Sequence, residues 1–215
     1  HCDIVLVGDS LGTVLYGMKS TREVTLDMII NHAKSVKRGI SKSIMLIDMP
    51  YQTYRNKKEA YLNAKKIIKA TSCNGLKLEG GKKIASTIKY LTKKGIPVMG
   101  HIGLLPQSEK GKFKFKGRSS VERKKIIDDA KSLSAAGVFA IVIECVEEKL
   151  AKIISKTISV PTIGIGASKH CDGQILVTDD LVGLSSFEPR FVRKYSDLKK
   201  IINKSVLRFR NDVIK

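Results

Sequence analysis

Polar residues close one apolar run after another along this chain, and that regularity limits the fold more than any other feature. Short apolar runs occur at 3–7 (DIVLV), 44–47 (IMLI), 75–79 (GLKLE), 96–99 (IPVM), 138–143 (VFAIVI) and 161–165 (PTIGI), with a less clear one at 175–178 (ILVT). Helical patterns fill the intervals near 25–38, 57–71, 82–94, 120–136 and 147–157, and a last one lies near 196–213. Gly39, Gly95 and Gly137 each follow the end of a helical pattern, where a residue free to take positive φ closes the last turn. Strand and helix alternate without a Pro/Ser-rich linker, which predicts one parallel α/β domain over residues 1–215.

A doubly wound sheet and a (β/α)8 barrel both satisfy that alternation. The polar residues discriminate between them. Asp9 follows VLVG, Asp48 follows IMLI, Glu79 ends LKLE, His101 follows PVMG, Glu144 ends AIVIE, and GIGA ends the run at 161–165. An open sheet gathers its ligand groups at one switch point. A barrel brings every strand end around one mouth. Polar groups at the ends of so many different strands predict the barrel.

Composition removes several other classes. No apolar run reaches the ~18 residues a membrane span needs. Forty Lys and Arg against 20 Asp and Glu give a formal charge of +20, a balance often met in nucleic-acid binders. Here the lysines are scattered over AKKIIKA, GKKIASTIKYLTKKG, ERKKIIDDAKS and DLKKIINKS, each a helical pattern with an apolar opposite face. That is the distribution of solvated helix faces, not of a binding stripe. Cys2, Cys73, Cys145 and Cys171 form no CxxC pair and no zinc spacing with histidine, as expected of reduced thiols in a cytoplasmic enzyme. The chain opens at His1 directly on a strand pattern, without a signal-peptide pattern. The expectation is a protein seen without its N-terminus.

VGDSLG and GIGAS have the glycines of phosphate loops, but neither is GxGxxG nor GxxxxGK[ST]. Glycine that lets backbone approach a ligand, or lets a strand leave the barrel, accounts for them as well. Asp9, Asp48 and Glu79 are hard oxygen donors that, with water and a chelating substrate, suit Mg²⁺. Lys77 and Glu79 are two residues apart, so on a strand both project to one side. The lysine could hold a substrate carboxylate while the glutamate serves the metal, or the two could form an ion pair within a barrel layer. Glu144, among the apolar residues of IVIECV, is a candidate general base whose pKa burial would raise, or a glutamate that merely ends a strand. His101 could bond substrate or be a satisfied structural histidine. His32 and His170 are expected outside the site. Cys145 should face away from Glu144 and is not expected to be a nucleophile. Together these residues point to metal-assisted proton abstraction beside a carbonyl of a small oxyacid.

VGDSLG, HAKSVKRG, DMPY, LKLEGG, GHIGLLPQS, ECV and IGIGAS...DGQILV stand in this order between about residues 3 and 195. The set resembles the ketopantoate hydroxymethyltransferase family, (β/α)8 barrels of the phosphoenolpyruvate/pyruvate superfamily. The resemblance implies a Mg²⁺ site at Asp9, Asp48 and Glu79, direct or through water. It implies substrate-binding positions at Asp9, Ser10, Asp48 and Lys77, a proton acceptor at Glu144 and a histidine near substrate at His101. It further implies that the enolate of 3-methyl-2-oxobutanoate attacks the methylene carbon of 5,10-methylenetetrahydrofolate, in a homo-oligomer, a decamer in many members. Three departures stand against the family pattern. The βα unit that carries the first barrel strand is expected before VLVGDS and is not in this chain. A further tail often follows the last helix. GIGAS with Lys169 replaces a more usual glycine-rich turn. The readings kept beside this one are a lyase or mutase of the same superfamily, a non-enzymatic remnant and a nucleic-acid binder.

Overall fold

The computed structural model describes residues 2–109, 114–185, 189 and 191–214. Two compact units divide the chain, His1–Gln174 and Ile175–Lys215.

The first unit contains seven strands: β1 (Ile4–Val7), β2 (Ile44–Asp48), β3 (Gly75–Glu79), β4 (Val98–Gly103), β5 (Ala140–Glu144), β6 (Thr162–Ile165) and β7 (Gly173–Gln174). Its helices are α1 (Leu11–Val14), α2 (Leu26–Gly39), α3 (Lys57–Thr71), α4 (Gly81–Lys93), α5 (Ser120–Ala135) and α6 (Glu148–Thr157), with a 3-10 turn at Thr21–Glu23. Side-chain oxygens start the long helices where the sequence offers them. Thr25 accepts from the Met28 N–H, Asn56 from Glu59 and Ser119 from Glu122, each satisfying one of the donors that a first turn leaves free. At the other ends, Gly95 (φ 77°) and Gly137 (φ 87°) take the left-handed conformation expected of them. Gly39 does not. It is the last residue of α2, and extended Ile40 follows it.

All seven strands are parallel and pair in sequence order, β1 through β7. A doubly wound sheet reverses its order at a switch point; this sheet does not. Right-handed crossovers in an unreversed order place every helix on the same face. The helix-facing core is large and includes Ile47, Leu76, Leu78, Ile102, Ile141 and Ile143 beside Ile29, Ile67, Ile88 and Leu133 from the helices. A second, separate cluster holds Leu46, Met99, Ala140 and Val142, all buried, with Ile4, Leu6, Ile163 and Ile165 packed on them. These are the alternate strand residues, on the face the crossovers leave bare. They are buried because the sheet curls on itself, as a barrel wall does.

Two strand expectations are corrected. β4 runs on through His101 to Gly103, so the histidine lies within a strand and not after one. The run 175–178 is not a strand. Pairing with β6 ends at Gln174, and Thr178 opens helix α7 (Thr178–Val182), whose first turn carries Asp179 and Asp180. Acidic residues there favour a helix start through the helix dipole, a signal that outweighed the short apolar run.

The second unit contains α7 and α8 (Leu198–Val213). Asp197 caps α8 by accepting from the Lys200 N–H. Among the described residues no helix is long and apolar enough to cross a membrane.

Candidate active site

Strand register assembles the site. Asp48 lies beside Lys77, Lys77 beside Met99, Glu79 beside His101, His101 beside Val142, and Gly103 beside Glu144. Partners in a parallel sheet point to the same side. Asp48, Lys77, Glu79, His101 and Glu144 therefore share the inner face with the small apolar cluster. Leu46 lies one level below Asp48, Met99 stands in register with Lys77, and the charged groups run toward the C-terminal edge.

Asp48 and Lys77 form a buried ion pair, with Lys77 Nζ donating to Oδ1 at 2.5 Å and side chains 8% and 4% exposed for lysine and aspartate respectively. Lys77 thus pairs with the aspartate of the next strand and not with Glu79, its neighbour along the chain. Burial pushes the lysine pKa down, but Asp48, Asp9 and Glu79 push it up more, so the ammonium stays charged. The other Asp48 oxygen accepts the backbone N–H of Asp9 at 3.0 Å, which ties the end of β1 to the end of β2. A Cβ at Gly8 would press on Ser10 Oγ at 3.1 Å and meet Asp48 Oδ2 at an ordinary 3.5 Å.

His101 lies between two carboxylates, with Nδ1 3.5 Å from Glu79 and Nε2 3.1 Å from Glu144. Both are ionic contacts without hydrogen-bond alignment. Burial and Lys77 push the imidazole pKa down, Glu144 and Glu79 push it up, and the carboxylates win, holding it at about 9. The ring is an imidazolium at neutral pH. Glu144 is the accessible acid of the group. Its side chain is 20% exposed against 3% for Glu79, so the burial expected from IVIECV holds for its strand but not for its carboxylate. Gly103 makes room beside it, since at φ 95° a Cβ would meet the Glu144 carbonyl oxygen at 2.3 Å. Cys145 is buried, sits at φ 49°, and has its thiol pushed up to about 12 by burial and by Glu144. It offers no thiolate. His170 is exposed and His32, on α2, is half-buried.

Two residues of the site carry no sequence signal that singles them out, Gln107 and Tyr54. Gln107, in the loop after β4, is buried and donates from Nε2 to Asp9 Oδ2 (2.8 Å) and to the Met49 carbonyl (3.0 Å). Its backbone N–H donates to Glu79 Oε1 at 2.7 Å. Tyr54 donates its hydroxyl to Gln107 Oε1 at 2.5 Å. Burial and the nearby carboxylates push the tyrosine pKa up, so it remains a donor. GLLPQ does place a neutral amide six residues past His101, but nothing in the sequence marks Tyr54.

The charges do not balance. Asp9, Asp48, Glu79 and Glu144 face Lys77 and His101, four acids against two bases, a surplus of two once Asp9 is ionised. Burial, with Asp48 close by, holds the Asp9 carboxyl up at about 7. A divalent cation would remove that surplus. Among the described residues no three His, Cys, Asp or Glu converge as a ready-made metal cage. As oxygen donors, Asp9, Asp48 and Glu79 are of the kind that suits an ion taking one or two carboxylates and completing its shell with water and substrate, which is the habit of Mg²⁺.

The raised Asp9 and His101 values give a pH expectation for the metal-free protein. A group whose folded pKa exceeds its unfolded one stabilises fully below the unfolded value and loses that contribution as pH rises through the folded value. Asp9 goes from 3.8 to about 7 and His101 from 6.5 to about 9. The urea midpoint should fall between about pH 4 and 9, and added Mg²⁺ should raise it more at pH 8 than at pH 5. A midpoint that climbs from pH 5 to 8 without metal would contradict these assignments.

The ketopantoate hydroxymethyltransferase family model matches residues 1–215. This chain belongs to the ketopantoate hydroxymethyltransferase family. It is 62% identical to the 3-methyl-2-oxobutanoate hydroxymethyltransferase of Pelagibacter ubique over all of its length and 83% of that protein. It is 50% identical to the enzyme of the same name from Rhizobium etli, covering 99% of this chain and 80% of that one. As a member of this family the chain is an enzyme, a hydroxymethyl transferase. Solved structures agree on the fold. One is 2,3-dimethylmalate lyase, a PEP mutase/isocitrate lyase superfamily member, with TM-score 0.56 at 10% identity, covering 82% of this chain and 61% of that one. Another is oxaloacetate acetylhydrolase with its product oxalate, with TM-score 0.56 at 10% identity, covering 75% and 58%. At that identity they speak to the barrel-type sheet alone.

Proposed function

We propose that this chain carries out Mg²⁺-dependent transfer of a hydroxymethyl group from 5,10-methylenetetrahydrofolate to 3-methyl-2-oxobutanoate, giving 2-dehydropantoate for pantothenate synthesis. The relatives' names support the oxoacid. The observation on this chain that carries the reading is the buried cluster of four acids against two bases, with one accessible carboxylate at its rim. Overall, the oxoacid, the methylene donor and one water become 2-dehydropantoate and tetrahydrofolate. The C3–H bond and the two C–N bonds that hold the one-carbon unit break, a C–C bond forms between C3 of the oxoacid and that unit, water supplies the new hydroxyl oxygen, and the freed protons return to the folate nitrogens.

Glu144 takes the C3 proton, because it is the carboxylate of the cluster that substrate can reach. The His101 imidazolium, 3.1 Å from it, fixes its orientation from below. Lys77 has three N–H donors and gives one to Asp48; the others meet the substrate carboxylate. Ser10, half-buried at the end of β1, and Asp9 flank the same position. Asp9 and Asp48 would hold Mg²⁺, with Glu79 direct or through water, and the ion would supply positive charge where the oxoacid accumulates negative charge. The enzyme is read as a cytoplasmic homo-oligomer, a decamer by resemblance, with no nucleic-acid or membrane partner.

Incubating the intact chain with both substrates and Mg²⁺ tests the reading. 2-Dehydropantoate should form, and should stop when the folate is omitted or a chelator is added. An oxoacid that binds without product, donor and metal being present, would overturn it.

A further inference from the structure

The side-chain amide of Gln107 uses both N–H donors and its oxygen, and its backbone N–H adds a fourth bond. These bonds join groups from the ends of three strands: Asp9 after β1, Met49 after β2 and Glu79 on β3, with Gln107 itself in the loop after β4. Tyr54, from the loop before α3, closes the amide's remaining side with its one hydroxyl hydrogen, and the same oxygen lies 3.2 Å from the Glu79 carbonyl oxygen. We propose that Gln107 is a positioning residue that fixes the Asp9 and Glu79 carboxylates relative to each other, and so sets the geometry of the oxyacid and metal site. This rests on the function read above.

The chemistry at this position requires an amide. Nε2 faces two acceptors, a carboxylate and a carbonyl, and Oε1 faces a hydroxyl donor. Glutamate would set a third acceptor against two and add a fifth acid to a cluster already in surplus. Methionine keeps the shape and loses all three side-chain bonds. Only the backbone bond to Glu79 survives substitution, and its loop position depends on the side chain below it. Asp9 has one further tie across the mouth, its own N–H to Asp48, which holds the backbone and leaves the carboxylate free to rotate. Loss of an outer partner of this kind typically costs 10–100-fold in metal affinity or activity.

The test uses intact wild type, Gln107→Met, Gln107→Glu and, as a destabilised control far from the mouth, Leu91→Ala on α4. Crystal structures of wild type and Gln107→Met decide the positioning itself. The Asp9 or Glu79 carboxylate should move by more than the ~0.5 Å that functional constellations tolerate; unmoved carboxylates overturn the proposal. Mg²⁺ titration in the presence of 3-methyl-2-oxobutanoate, together with the split of kcat from KM, reads the consequence. Both Gln107 variants should bind about 10–100-fold more weakly and lose kcat, whereas Leu91→Ala should lower only the melting temperature. Gln107 variants that melt early yet bind and turn over as wild type make the residue structural and overturn the proposal. If wild type neither binds nor turns over, the function assigned above fails, and the crystal comparison still decides whether Gln107 positions the two carboxylates.

Discussion

Asp48→Ala should cost about 3–5 kcal/mol of folding stability, because it strands a buried lysine. The Lys77 ammonium is 8% exposed, and Asp48 is its only hydrogen-bond partner among the described residues. The substitution also removes the acceptor of the Asp9 N–H. It relieves the repulsion that Asp48 exerts on Asp9, which offsets part of the loss. Lys77→Met in the Asp48→Ala background should recover most of the stability, since removing both charges costs less than removing one. Urea denaturation of the two variants is the check. A single variant within about 0.5 kcal/mol of wild type, the range of ordinary surface changes, would mean that the pair is solvated and the mouth is wet.

Glu144→Gln should lower kcat by about 10²–10⁴-fold, the span usually attributed to a positioned general base. The amide has the shape of the carboxylate but cannot take a proton. KM for the oxoacid should stay within a few-fold, because Lys77, Asp9 and Ser10 make the binding contacts assigned to substrate. Folding should change little, since Glu144 is partly exposed and His101 keeps Glu79 as a partner. A variant that kept kcat would move the proton acceptor to another group.

The sheet and its site were legible in the sequence to different depths. Periodicity places β1 to β6 and the six long helices: α2 to α6 each bury one face, α8 carries the same pattern without a buried residue, and the chemistry of Thr25, Asn56 and Ser119 starts three of those helices at the right place. It fails at Gly173–Gln174, where two paired residues are too few to carry a pattern, and at Thr178–Val182, where a five-residue helix follows an apolar run. The spacing of Lys77 and Glu79 correctly puts both on one face. It cannot say that the lysine chooses Asp48, which is settled by the register of β2 against β3. Glu144 is named by its position at a strand end, while its exposure depends on how the rim is covered. Gln107 lies outside any periodic element, and its role exists only through groups on three other strands. Tyr54 is invisible for the same reason.

Solvent isotope exchange tests the central claim most directly. In deuterated water, with Mg²⁺ and without any folate, the wild-type chain should place deuterium at C3 of 3-methyl-2-oxobutanoate, and Glu144→Gln should fail to do so although it still binds the oxoacid. Exchange that proceeds equally well in Glu144→Gln would contradict the assignment of that carboxylate as the base. No exchange in the folded wild type, with the oxoacid bound, would contradict proton abstraction at this mouth.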